Sequence, residues 1–256
     1  MLTTLEAVIL GIIEGFTEFL PISSTGHIII ASKVLNIAES DFLKSFEIII
    51  QLAAILAVLF LYGKRITNDI TILKKVIVAF IPTGIIGFVL YKLIKNFLLG
   101  NISVVAWSLL IGGILIIFLE SMLKNKKSLN KNLDQMSYME AMLIGLIQSL
   151  AVIPGVSRSA STIIGGLVMG YDRKSIVEFS FLLAIPTMFA ATGYDLLKSA
   201  KTMDTSQIDV LIIGFIVSFF VAMFSVKWLV KYINNNDFKI FGIYRILIAI
   251  LLIAIY

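Results

Sequence analysis

Cysteine is absent from the 256 residues, so neither disulfides nor thiolate metal sites can contribute to this protein. Charge is scarce as well. Asp, Glu, Lys and Arg make up 14% of the chain against 59% apolar residues, and the mean hydropathy is +1.02. Soluble domains carry about 45–50% apolar residues, so a soluble globular fold is excluded. The apolar/polar alternation over segments of about ten residues that marks a membrane β-barrel is also missing. No basic residue precedes Lys33, while Glu6, Glu14 and Glu18 do, and no small-residue cleavage pattern follows. Residues 1–20 are therefore not expected to be a cleaved signal peptide. The net charge of +5 is no sign of nucleic-acid binding, because surplus Lys and Arg in such a chain chiefly record which loops stay in the cytoplasm.

Long apolar runs are what the chain does have. Crossing the hydrocarbon as helix takes roughly 20 apolar residues, and six crossings are predicted at residues 46–62, 76–94, 102–122, 176–196, 210–232 and 238–256. Pro82 and Gly84 predict a kink in the second. Two further segments, 2–35 and 138–169, are each broken by a proline and a polar run. Two short helices around a polar break predict a re-entrant hairpin, whose irregular backbone must be buried in protein or line a wet cavity. The competing reading is one long kinked helix. The expected fold is all-α, a polytopic membrane bundle of six transmembrane helices plus two re-entrant hairpins in a single domain, 1–256.

Setting residue i against i+134 places Gly11 on Gly145, Glu14 on Gln148, Ser23 on Ser157 and Ser24 on Arg158. Each half, about 1–122 and 138–256, runs hairpin and then three crossings. Three is odd, so the second half must enter from the opposite side, which predicts an inverted repeat. With residues 63–75 cytoplasmic, 13 Lys and Arg fall in inside connections and six outside, as the positive-inside rule requires. The hairpins then dip in from opposite sides, so their polar tips can meet near the midplane.

Ionisable groups at such depth are read as functional by default, and residues 14–27 (EGFTEFLPISSTGH) concentrate them. Glu14 and Glu18 are four apart and share one helix face. Two carboxylates that close repel in a low dielectric, which a proton or a cation between them relieves. A hard divalent ion such as Mg²⁺ or Ca²⁺ suits oxygen ligands, and a proton-carrying pair suits the same residues. Ser23, Ser24, Thr25, Gly26 and His27, the single histidine, crowd the expected start of a helix, where free N–H groups and the dipole favour an anion. His27 is the best proton carrier there near neutral pH. The second island, 154–162 (PGVSRSAST), offers Ser157, Arg158, Ser159 and Thr162 at another helix start. Arginine is suited to grip phosphate with two N–H groups at once, although an arginine capping carbonyls at a helix break is the plainer role. Carboxylates, histidine, hydroxyls and arginine together describe phosphoryl transfer more naturally than ion conduction.

EGFTEFLPISSTGH and PGVSRSAST resemble the two signature motifs of the undecaprenyl pyrophosphate phosphatase family, the bacitracin-resistance type. The similarity extends through EFSFLLAIP and the hydrophobic layout over essentially the whole chain. The resemblance implies a bacterial cytoplasmic-membrane enzyme that removes the terminal phosphate of undecaprenyl pyrophosphate, with its active site open to the outside. It places Glu14 and Glu18 on the family's acidic pair, Ser24 and His27 on its catalytic serine and histidine, and Ser157, Arg158 and Thr162 on its phosphate-binding motif. The expected mechanism holds the pyrophosphate between the hairpins, with Arg158 and helix N-termini neutralising it and a metal on Glu14 and Glu18. Ser24 activated by His27 is the first choice of nucleophile, ahead of His27 itself and of water activated by His27. The partners expected are the lipid substrate and membrane lipids; a homodimer is left open. The rival class is a lipid transporter or flippase, because inverted repeats with broken helices also serve transport.

Overall fold

In the computed structural model, residues 2–93, 98, 101–124, 130–199 and 207–255 are described. The polar breaks behave as the sequence predicts. Thr3 caps the first helix, α1 (Thr4–Thr17), accepting from the Glu6 N–H while Glu6 reaches back to Thr3. This reciprocal box satisfies N–H groups that an open helix end leaves orphaned. After residues 18–23, α2 (Ser24–Val34) begins on Ser23, whose side chain accepts from the Gly26 N–H. Next, α3 (Asp41–Asn68), α4 (Ile70–Leu93) and α5 (Ile102–Lys124) follow. The second half opens in the same way: Ser137 and Glu140 box the start of α6 (Tyr138–Gln148), which runs on as a 3₁₀ turn to Val152. Ser157 then caps α7 (Arg158–Val168). Three long helices complete it, α8 (Arg173–Ser199), α9 (Ile208–Ile233) and α10 (Lys239–Ile255).

The 134-residue offset carries into the coordinates. Both boxed helix starts, Thr3 with Glu6 and Ser137 with Glu140, stand at that spacing. So do α2 and α7, each 11 residues long, and their caps Ser23 and Ser157, with φ of 74° and 77°. A positive φ is uncommon for a residue with a side chain, and here it occurs twice at matched sites.

Among the described residues, α3, α4, α5, α8 and α9 are long and apolar enough to cross a membrane. At 17 described residues α10 rises about 25 Å at ~1.5 Å per residue, the short end of the spanning range. Several helices exceed the predicted crossings. The helix predicted at 46–62 reaches from Asp41 to Asn68, since capping by Ser40 and polar flanks lengthen it without raising its hydropathy. In α4, where Pro82 and Gly84 predict a kink, the helix runs on through Pro82 without interruption. The end of the outer connection before α5 and most of the lysine-rich loop at 125–129 lie outside the described residues.

The two helices of each broken segment pack on one another, α1 on α2 and α6 on α7, as hairpins do and single kinked helices do not. Each hairpin also leans on the other half: α1 packs along α9, and α6 along α4. Glycine makes this approach possible. A Cβ on Gly15 would lie 2.6 Å from the Ser218 carbonyl of α9, and one on Gly145 would collide with the Ala79 carbonyl of α4. Small residues of this kind let membrane helices pack backbone to backbone. α5 and α10 pair closely, and a core running from Phe19 through Phe179 and Phe181 to Phe238 joins the halves.

Candidate active site

Glu14 and Glu18 sit on the last turn of α1 and its cap, 3% and 6% exposed, with their carboxyls side by side. Glu18 is the junction. One of its oxygens accepts from the Ser24 hydroxyl at the start of α2, and the other from Arg158 Nη2 at the start of α7, at 3.1 Å. Residues from three helix ends, 140 positions apart at the widest, therefore meet on one carboxylate. Breaking a buried charge pair of this kind by removing one partner leaves the other uncompensated, and costs about 3–5 kcal/mol.

Arg158 is held on its far side by the Ser180 carbonyl of α8, at 3.0 Å from Nη1, and its guanidinium lies against the Phe19 ring. Its Nε is buried without a partner, as is Glu14 Oε1. Buried polar atoms are normally satisfied, and here one donor and one acceptor beside the Glu18 junction are left open to a ligand.

His27 stands on the first turn of α2. Its Nδ1 lies 2.7 Å from the Ser23 carbonyl, which can only accept, so Nδ1 carries the proton and Nε2 of the neutral ring is the base. The Tyr244 hydroxyl of α10 lies 2.8 Å from Nε2, and the two rings stack. The expectation that follows the family resemblance is that His27 activates Ser24; in the fold Ser24 donates to Glu18 instead, and His27 is oriented between Ser23 and Tyr244.

The other hydroxyls divide by burial. Ser159 donates to the Leu20 carbonyl at 2.7 Å, tying the second hairpin to the first break. Ser157 caps α7 through the Ala160 N–H and lies 3.1 Å from Ser159 Oγ. Thr162, fully buried, bonds back to the Arg158 and Ser159 carbonyls and meets the Ser180 hydroxyl at 2.6 Å. These side chains brace the turn that carries Arg158. Ser23 likewise spends its hydroxyl on the Gly26 N–H, and Gly26 packs against Val105, whereas Thr25 is exposed.

Sequence reasoning missed Arg245. It is completely buried on α10, and its guanidinium donates to five backbone carbonyls: Pro21 at 3.3 Å in the first break, Gly155 and Val156 at 2.9 and 3.0 Å in the second, and Ser108 and Leu109 at 3.0 and 3.4 Å on α5. Broken helices leave carbonyls unpaired, and the five-donor fork of one arginine satisfies them across both halves. An arginine inside a predicted crossing was the available signal. Tyr244, its neighbour, left no such mark.

For a divalent ion, the donor set fits in part. Among the described residues no group of three or more His, Cys, Asp or Glu side chains could hold a metal, and both Glu18 oxygens are engaged. The unpartnered Glu14 Oε1 beside Glu18 suits a hard ion of the Mg²⁺ type, which binds through one or two carboxylates and takes its remaining ligands from water and substrate phosphates.

Residues 7–251 match the family model described as Bacitracin resistance protein BacA. A protein of Aquifex aeolicus named undecaprenyl-diphosphatase is 54% identical over 255 residues, covering 100% of this chain and 99% of that one. Relatives with the same name in Sulfurihydrogenibium sp. and Wolinella succinogenes are 53% and 51% identical, over 98% and 96% of this chain and 98% and 95% of theirs. With both islands intact and the match running nearly end to end, this multi-pass membrane protein belongs to the bacitracin resistance protein BacA family.

Proposed function

We propose that the protein hydrolyses undecaprenyl diphosphate to undecaprenyl phosphate and inorganic phosphate. The observation that carries this reading is the Glu18 junction, where a hydroxyl and an arginine from different halves of the chain meet on one buried carboxylate. The diphosphate binds between the hairpin tips, its charge met by Arg158 and by the start of α2. Glu18 takes the Ser24 proton as Ser24 Oγ attacks the terminal phosphorus; the new O–P bond forms while the bond to the bridging oxygen breaks and undecaprenyl phosphate leaves. Water then attacks the phosphoserine, giving its proton to His27 Nε2, while the Ser24 oxygen recovers its proton from Glu18. This is covalent catalysis with a carboxylate base for the first step and an oriented histidine for the second. Of the acidic pair Glu14 and Glu18, the free oxygen of Glu14 would be the first protein ligand of a divalent ion, which when bound would supply positive charge to the phosphate oxygens.

Phosphate release from undecaprenyl diphosphate by purified protein in detergent tests the reading, since a transporter without compartments releases none. Transient radiolabelling of Ser24 from a terminally labelled substrate tests the phosphoserine; label that never appears on the protein would favour direct attack by water.

The charge bias supports a bacterial cytoplasmic membrane location with the site open to the outside, the halves being inverted. In a chain without cysteine, single thiols report sidedness. Cysteines at Asn36, Asn101 and Thr205 should label with an impermeant reagent in intact cells, and those at Asn68, Asn130 and Asn235 should not; Thr205 lies outside the described residues. Labelling of Asn130→Cys would overturn the inverted arrangement.

A further inference from the structure

A cavity of about 600 Å³ lies between α4 and α8, beside the 3₁₀ turn that ends α6. Its lining is graded. At the inner end stand Gln148, Thr83, Thr187 and Arg158; from there it follows α4 to Phe88 and α8 to Tyr194 and is apolar over most of its wall. Its α4 rim, Ile81, Ile85 and Phe88, is at least half exposed, so in a membrane the cavity opens sideways towards lipid.

The inner end is short of partners. Gln148, 1% exposed, donates from Nε2 to the Thr83 and Thr187 hydroxyls at 2.9 and 3.2 Å. Those hydroxyls give their own protons to the Gly145 and Leu183 carbonyls, so they can only accept, which fixes the amide's orientation and leaves Gln148 Oε1 as a buried acceptor without a donor. The Arg158 Nε is the matching buried donor without an acceptor. An apolar channel ending in an orphaned guanidinium donor fits an amphiphile with anionic oxygens at one end of a long apolar chain, whereas Gln148 Oε1, itself an acceptor, is left for a donor such as water. Arg158 belongs both to this wall and to the Glu18 junction, so the cavity and the candidate active site are continuous through one guanidinium.

We propose that this cavity takes the first isoprene units of the prenyl diphosphate, which enters sideways between α4 and α8 and places the oxygens next to its chain at Arg158. The inference rests on the diphosphatase reading. The rest of the chain trails through the open rim into the bilayer, so the cavity needs room only for the beginning of the lipid.

Gly87 provides the test. It lines the cavity, and a Cβ there would meet nothing within 4 Å, so a large side chain fills the channel without a clash at its base. Gly193 on α8 has the same freedom but is not part of the lining, and serves as control. Gly87→Trp should raise KM for farnesyl diphosphate about tenfold or more with kcat within about threefold, while Gly193→Trp leaves both unchanged. A farnesyl diphosphate analogue with a photoreactive terminal group should cross-link to α4 or α8 in the wild type and lose that product in Gly87→Trp. Wild-type kinetics in Gly87→Trp together with cross-links on other helices would overturn the cavity while leaving the enzyme reading intact. Absence of phosphate release by the wild type, with α4 and α8 still cross-linked, would overturn the enzyme reading alone.

Discussion

The two hairpins share a plan and differ in what they carry. Both begin on a boxed cap, break at a proline, and restart on a serine with positive φ. At matched positions the first has Glu14, Glu18 and His27 where the second has Gln148, Val152 and Ser161, and the second has Arg158 where the first has Ser24. The titratable carboxylates and the histidine therefore sit on one hairpin and the arginine on the other, which under the proposed reading separates proton transfer from charge neutralisation. The matched helix starts of α2 and α7 bring the two sets together, and the Glu18–Arg158 contact joins them across the halves. At the position matching Glu14, Gln148 is an amide held by two threonine hydroxyls.

Breaking that division should cost most at the junction. Glu18→Gln removes the base for Ser24 and the charge that faces Arg158, and kcat for phosphate release should fall by roughly 10³, within the range of a lost general base; activity within tenfold of wild type would move the base elsewhere. Arg158→Lys keeps the charge but not the planar fork, and should lower kcat by about 10², as loss of a preorganised donor does. A change confined to KM would leave Arg158 as an anchor for the headgroup. Glu14→Gln makes the first hairpin resemble the second at this position. It should shift the divalent-metal requirement upward by about tenfold in an activity titration, after reversible loss of activity in chelator, and full activity in strong chelator would leave the acidic pair to proton transfer.

The smallest catalytic effect is expected from Arg245→Lys. Three ammonium donors cannot serve five carbonyls, so the unfolding midpoint in detergent should fall, with kcat reduced only several-fold; each buried carbonyl left unpaired costs about 1–3 kcal/mol. An unchanged midpoint would show that the carbonyls find water instead.

The architecture was readable because hydropathy and the prolines at 21 and 154 report on local structure. The same holds for the 134-residue offset, which depends on residue type alone. Side-chain pairing was less accessible. The family resemblance paired Ser24 with His27, yet the turn at Ser23 gives Ser24 to Glu18 and turns His27 towards Tyr244. The hydroxyls of Ser157, Ser159 and Thr162 read as phosphate ligands because their motif is polar. In the fold they are mostly consumed in bracing α7. Arg245 was visible as a charge in an apolar run, but its five acceptors come from three separate regions of the chain, and no local pattern announces them.

The Arg245 clamp also orders events during synthesis. Residues 21, 108, 109, 155 and 156 have all left the ribosome before residue 245 does, so both broken turns enter the bilayer with carbonyls that only the last helix can satisfy. Until α10 packs beside α5, the two breaks lack the arginine that joins them. A nascent chain stalled before this arginine holds both signature islands without the one side chain that ties their two breaks together.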